Sequence, residues 1–155
     1  MIKVMFVCHG NICRSPMAEF IFKHMIKTIG VENDFYVESS ATSREEIGND
    51  IYPPAKKKLR EEGIAFSKRT ARQFQQKDYE NFDYIFVMER YNYVNLCKII
   101  HSDKNNKIHM MTEYTDLGAD IADPWYSGDF NEAYSQIYES CKAFLDYLEY
   151  DVQKL

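Results

Sequence analysis

The chain has 155 residues, 45% of them apolar and 28% charged, a mixture that fits one globular core and argues against disorder, collagen or a coiled coil. Nineteen basic and 24 acidic side chains leave a net charge of −5, which excludes a broad nucleic-acid surface or an anchor on anionic lipid and leaves room only for a small local phosphate site. No apolar run reaches the ~20 residues of a membrane span, and Met1 to Cys8 lacks a basic region and cleavage site, so a cytoplasmic protein with no membrane partner is expected. The four cysteines, Cys8, Cys13, Cys97 and Cys141, are too few for a disulfide scaffold and show no zinc-ligand pairing, so they are read as reduced thiols.

Lys3 to Cys8 reads as a buried strand, and Ser15-Pro16 opens a helix through Met17, Phe20, Ile21, Met25 and Ile26, with Ser15 as N-cap, Glu19 near the positive end and Gly30 closing it. Phe35 to Ser39 forms a second strand, and Pro53-Pro54 starts a helix that ends at Gly63. Phe82 to Met88 is a buried strand, followed by a helix over Tyr91 to Ile100 and a weaker strand at Lys107 to Met111. From Phe130, apolar residues at Ala133, Tyr134, Ile137, Cys141, Phe144, Leu145 and Leu148 mark one face of a long last helix. This alternation predicts an α/β fold, a single domain over 1–155 with a mainly parallel sheet between helices. Lys56-Lys57-Lys58 reads as a solvated helix face, and no histidine is assigned to a metal.

Cys8-His9-Gly10-Asn11-Ile12-Cys13-Arg14-Ser15 falls between a buried strand and a helix start, where open α/β sheets bind their ligands. Backbone N–H groups and the helix dipole would form a nest for a tetrahedral anion there, with Gly10 permitting the tight turn and Asn11 tolerating a left-handed backbone. Arg14 offers a planar fork for two phosphate oxygens. A Cys8 thiolate would be stabilised there by the loop N–H groups, by Arg14 and by a hydroxyl hydrogen bond from Ser15, and could attack without a base. The alternative is that Cys8 and Cys13 are small buried residues and Arg14 makes a surface ion pair. A phosphocysteine route also needs a general acid. Asp123, in a turn ahead of the last helix, is the candidate, with Trp125 and Tyr126 able to flank an aromatic ring; the competing view is an ordinary Asp-Pro turn with core aromatics.

Val7-Cys8, Gly10-Asn11-Ile12-Cys13-Arg14-Ser15-Pro16, Ser39 to Thr42, Gly63-Ile64, Ala71-Arg72-Gln73, Phe82 to Ile85 and Asp123-Pro124 together resemble the low-molecular-weight protein tyrosine phosphatases over nearly the whole chain. The resemblance implies a three-layer sandwich with a four-stranded parallel sheet of order 2-1-3-4. It implies Cys8 as nucleophile, Arg14 as phosphate clamp and Asp123 as general acid and later base, acting on phosphotyrosine in proteins or peptides. It implies that Ser15 holds the thiolate, that Asn11 and Ser39 brace the loop, and that no metal or organic cofactor is used. It further suggests a protective Cys8 to Cys13 disulfide under oxidant. A monomer or weak homodimer is expected.

Departures from the family pattern fall at Glu45, where an aromatic is common, at Glu89, in place of an Asp and read as a rim carboxylate, and at Arg69, where many members carry a loop-bracing histidine. His9 is read as a rim side chain without a catalytic role, and Glu45, Trp125 and Tyr126 as pocket wall. Ile12 resembles the tyrosine-directed members, whereas phosphoarginine phosphatases of the same fold tend to have Thr. Thioredoxin-coupled arsenate reductases share the fold but need paired resolving cysteines after the third strand, where this chain has only Cys97; Cys97 and Cys141 are read as core thiols.

Overall fold

A computed structural model describes all 155 residues. Four strands, β1 (Ile2–Cys8), β2 (Phe35–Ala41), β3 (Tyr84–Val87) and β4 (Ile108–Met110), form one parallel sheet in the order β2-β1-β3-β4. The helices are α1 (Arg14–Thr28), α2 (Pro53–Glu61), α3 (Gln76–Asn81), α4 (Arg90–Ile100), α5 (Pro124–Ser127) and α6 (Phe130–Tyr147), with a short 3-10 turn at Glu32–Asp34. The predicted architecture and strand order are the ones observed.

The two-residue period of β1 divides the core between the sheet faces. Val4, Phe6 and Cys8 join α1, α2 and α6 in the larger cluster, while Met5 and Val7 join Phe74, Tyr79, Phe82, Leu96 and Ile100 beneath α3 and α4. Because β1 is covered on both sides, its run is apolar rather than alternating. Phe144 on α6 anchors the larger cluster, its ring 4.7 Å from Phe86 and 5.9 Å from Phe22. Central placement of β1 therefore holds its carboxyl end, and the loop that leaves it, on a rigid support.

Several local expectations are corrected. Helix α1 is capped at Cys13, so Ser15 lies inside the first turn and is not the N-cap. Its hydroxyl faces the loop instead, at 3.0 Å from Cys8 Sγ. Pro16 is still tolerated there, since the first N–H groups of a helix have no intrahelical acceptor. Glu19 lies beyond the first turn and binds side chains: it accepts from Ser39 Oγ at 2.6 Å and pairs with Lys23. Gly30 follows the C-cap Ile29 with φ of +75°, and the Gly30 and Val31 amides bond back to Lys27 and Ile26, a left-handed closure that favours glycine.

Helix α3 is absent from the sequence reading because its six residues, Gln-Lys-Asp-Tyr-Glu-Asn, put only Asp78 and Tyr79 inside. Strand β3 is shorter than Phe82 to Met88, although both of those end residues are buried. Cys141 is a core thiol as expected, but Cys97 is half-buried and outside both core clusters. The lysine run is not a uniformly solvated face either. Lys58 is buried, donating to Glu62 and to Asn131, and so ties α2 to the start of α6, while Lys56 pairs with Asp50. No helix is long and apolar enough to cross a membrane.

Candidate active site

The anion nest is predicted for the loop from β1 to α1, which leaves the carboxyl end of the central strand. Asn11 adopts φ of +59°, the left-handed conformation that its short amide tolerates, and turns its N–H toward Cys8 Sγ at 3.3 Å. A Cβ on Gly10 would lie 3.3 Å from Glu46 Cγ, tight enough that the neighbouring loop would have to yield. Cys8 is 3% exposed at the end of β1, and its sulfur also meets Ser15 Oγ. A cavity of about 210 Å³ opens over it, lined by Cys8, His9, Gly10, Ile12, Cys13 and Arg14 from the loop, by Glu45 and Glu46, and by Asp123, Trp125 and Tyr126. Loop and Asp-Pro segment, separated by more than 100 residues in sequence, thus face one space.

Arg14 is 2% exposed, which removes the surface-ion-pair alternative. Its Nη1 donates to the Ile121 carbonyl at 3.0 Å, and its Nη2 donates to Glu89 Oε1 at 3.1 Å and Asp123 Oδ2 at 3.3 Å. Three partners around one planar group fix its orientation before any ligand arrives. Burial works against the charge, but Cys8, Glu89 and Asp123 outweigh it and raise the guanidinium further above its ordinary range. Glu89 is therefore not a free rim carboxylate; it steers Arg14. The Cys13 thiol is pushed far up by burial and by the negative groups Cys8 and Asp123, so it stays protonated.

A polar network backs the loop. Asn11 Nδ2 donates to Ser15 Oγ at 2.8 Å and to Ser39 Oγ at 3.0 Å, while Asn11 Oδ1 accepts from Arg69 Nη2 and from the Arg72 main-chain N–H. Arg69 thus does join the brace at the position where the family often has histidine. Ser39 passes its own hydrogen to Glu19, extending the network to Lys23 on the helix surface. Sequence reasoning missed Glu19 and Glu46; the signal for Glu19 was an acidic residue on an otherwise apolar helix face.

The rim is set by two segments. His9 Nε2 pairs with Glu45 Oε2 at 3.0 Å, while His9 Nδ1 has no partner, and the imidazole lies beside the exposed Tyr91 ring. Opposite, Asp123 caps the short helix α5, with Oδ1 accepting from the Trp125 N–H at 3.1 Å and Pro124 in the first helical position. Trp125 is 51% exposed and Tyr126 85%, so neither is core. Trp125 leans on Tyr52, with ring centroids 4.7 Å apart. Loop residue and aromatic wall are thereby positioned together. A larger open hollow of about 740 Å³ borders the outer side of β2, but its central charges are already matched, Arg72 with Asp78 and Glu38.

Comparison with known proteins agrees with this geometry. A sequence model described as "Low molecular weight phosphotyrosine protein phosphatase" matches residues 3–154. The chain is 36% identical over 156 residues to the low molecular weight protein-tyrosine-phosphatase YfkJ of Bacillus subtilis, covering 99% of each chain, and 36% identical over 149 residues to the Schizosaccharomyces pombe low molecular weight phosphotyrosine protein phosphatase, covering 93% of this chain and 95% of the other. The crystal structure of YfkJ superposes with a TM-score of 0.92 over 96% of this chain and 95% of that one. A crystal structure of drosophila arginine phosphatase, 34% identical, superposes with a TM-score of 0.86, covering 97% of this chain and 99% of that one. With the anion loop at the N-terminus, the Asp-Pro segment facing it and the whole fold shared, the chain belongs to the low-molecular-weight phosphotyrosine protein phosphatases.

Proposed function

We propose that this protein acts as one phosphatase domain over residues 1–155, hydrolysing phosphotyrosine in proteins or peptides through a phosphocysteine on Cys8. The observation that carries this reading is that Cys8, Arg14 and Asp123 line one cavity with an aromatic wall. The Cys8 thiolate attacks phosphorus as the bond to the phenolic oxygen breaks, and Asp123 gives that oxygen its proton. Asp123, now a carboxylate, takes a proton from water; the hydroxide adds to phosphorus, the sulfur leaves as thiolate, and inorganic phosphate departs. Arg14, held by Glu89 and the Ile121 carbonyl, receives the phosphoryl oxygens as charge spreads over them. Asn11, Ser15 and Ser39 keep the loop in shape, and His9, Gly10, Ile12 and Cys13 complete the phosphate cup.

Glu45, Trp125 and Tyr126 form the wall against which the tyrosyl ring lies, and the mechanism draws on no metal or organic cofactor. We place the enzyme in the cytoplasm as a monomer or weak homodimer, in keeping with its unpaired thiols. The test is steady-state release from phosphotyrosine, phosphoserine and phosphoarginine, with arsenate plus thioredoxin in parallel. Metal-independent release from phosphotyrosine is expected. Phosphoarginine is included because of the likeness to the drosophila arginine phosphatase, and preferential turnover of it would move the substrate class to phosphoarginine. Turnover of arsenate alone would move the protein to the reductases, although Cys141 is fully buried and Cys97 has no neighbouring cysteine in sequence.

The same reading makes Cys13 the partner that protects Cys8 from oxidation. Peroxide converts the Cys8 thiolate to a sulfenic acid, and the Cys13 thiol displaces water from it to give a disulfide that dithiothreitol reduces. Peroxide is expected to inactivate the wild type reversibly and a Cys13→Ser variant largely irreversibly. Equal recovery of activity in both proteins would rule this protection out.

A further inference from the structure

Two guanidinium groups stand around Cys8, Arg14 in the lining of its cavity and Arg69 bonded to Asn11, whose N–H meets the sulfur, and they differ in how their charge is compensated. Arg14 is shared with two carboxylates, Glu89 and Asp123. The Arg69 guanidinium makes no carboxylate contact, its N–H groups going to Asn11 Oδ1 and the Asn49 carbonyl, while only the main-chain N–H of Arg69 meets a carboxylate, Asp50 Oδ1 at 3.3 Å. The acids that feel it at longer range, Glu19 and Asp50, are each matched by a lysine, Lys23 at 2.6 Å and Lys56 at 2.7 Å. Burial draws the half-buried Arg69 guanidinium below its ordinary range, but the group stays positive and has no carboxylate against it behind the anion loop.

Its bonding also sets the direction of the network. Arginine has donors only and stays charged, whereas an imidazole can present an acceptor. With Arg69 Nη2 and the Arg72 N–H both donating to Asn11 Oδ1, the Asn11 amide nitrogen must face Ser15 and Ser39. Ser15 Oγ is then an acceptor from Asn11, and its own hydrogen is free for Cys8 Sγ at 3.0 Å or the Ser40 carbonyl at 3.4 Å. We propose that Arg69 is a positioning residue that acts on the sulfur through Asn11 and Ser15, fixing the Ser15 hydroxyl as donor to Cys8 and favouring the thiolate by its unpaired charge. The proposal rests on Cys8 being the nucleophile. Other ionisable groups around Cys8 are Cys13 on the same loop, Arg14 with Glu89 and Asp123, and on the rim His9 with Glu45, together with Glu46.

The experiment compares wild type, Arg69→Gln, which keeps a donor without charge, and Arg69→Lys, which keeps the charge. Alkylation by iodoacetamide is followed on Cys8 by fragment mass spectrometry at pH 6 and pH 9, in otherwise native protein and in a His9→Gln background that removes the nearby imidazole. Arg69→Gln is expected to slow alkylation about tenfold at pH 6 and less than about twofold at pH 9, and to move the acid limb of the kcat/KM profile up by about one pH unit. Arg69→Lys should stay within about threefold of wild type at both. Wild-type reactivity of Arg69→Gln at pH 6, an equal slowing at both pH values, or an equal loss in the lysine variant would each overturn the proposal. Melting temperatures of the variants identify a loss that comes from unfolding, and the glutamine and lysine variants remain decisive if an alanine variant does not fold. Alkylation needs no substrate, so this pattern appearing without phosphotyrosine turnover would sink the proposed function and leave Arg69 in its role.

Discussion

Cys8→Ser is expected to lower kcat for phosphotyrosine by at least about 10⁴-fold, the scale on which removal of a nucleophile acts, while the fold and phosphotyrosine binding persist. Serine fills nearly the same volume at the end of β1, so the packing of Val4 and Phe6 beneath it is undisturbed. The chemistry differs because a serine hydroxyl is a far weaker acid than a thiol and does not form an anion in the cup. Contacts of 3.0 Å to Ser15 Oγ and 3.3 Å to the Asn11 N–H suit a large sulfur and lengthen against a smaller oxygen. Cys13 does not substitute for it, since burial and the neighbouring negative groups keep that thiol protonated. Rapid quench kinetics on wild type should show a burst of phenol release that Cys8→Ser lacks. Trp125 fluorescence offers a binding readout on both proteins, because this single tryptophan lines the cavity. Retention of more than about 1% of wild-type turnover in Cys8→Ser would place the nucleophile elsewhere.

Much of this site was legible in the sequence because its elements obey local rules. A short apolar run before Gly10-Asn11 and an apolar 3.6-residue pattern after Pro16 place a strand and a helix on either side of the loop, and strand-then-helix alternation places that loop at the ligand edge of the sheet. What stayed hidden were side chains whose meaning depends on long-range neighbours. Glu89 stands 75 residues from Arg14 and reads as a surface carboxylate until the sheet brings β3 beside β1. Arg69 sits in a segment without regular structure, and nothing in its immediate sequence announces Asn11 as its acceptor. Ser15 fits an N-cap by residue type, yet its hydroxyl is taken by the sulfur, and the cap lies two residues earlier at Cys13, with the helix starting at Arg14. Lys58 fails as a solvated residue for a similar reason, since only the docking of α2 on α6 supplies Asn131. Local patterns gave the frame, and tertiary contacts assigned the polar groups within it.

Asp123→Asn is expected to lower kcat/KM, which reports phosphoryl transfer to Cys8, by about 10²–10⁴-fold for phenyl phosphate, the usual weight of general acid catalysis, while lowering it much less for p-nitrophenyl phosphate. The difference arises at the leaving oxygen. A p-nitrophenoxide departs without a proton, whereas a phenoxide or tyrosyl oxygen leaves easily only if Asp123 protonates it as the bond to phosphorus breaks. Asparagine is the informative replacement because its side-chain oxygen can still accept from the Trp125 N–H and keep the cap of α5, so the aromatic wall and Pro124 stay in place. It also relieves Arg14 of one of its two carboxylates, leaving Glu89 and the Ile121 carbonyl to hold the guanidinium. The phosphate clamp should therefore survive, and the affinity for inorganic phosphate as a competitive inhibitor should change far less than kcat/KM. A plot of log kcat/KM against leaving-group acidity over a series of aryl phosphates separates the roles: it should be shallow for wild type and steep for Asp123→Asn. Parallel lines of equal slope, displaced by a constant factor, would mean that Asp123 serves only to hold Arg14 and α5, and that the proton for the leaving group comes from another donor.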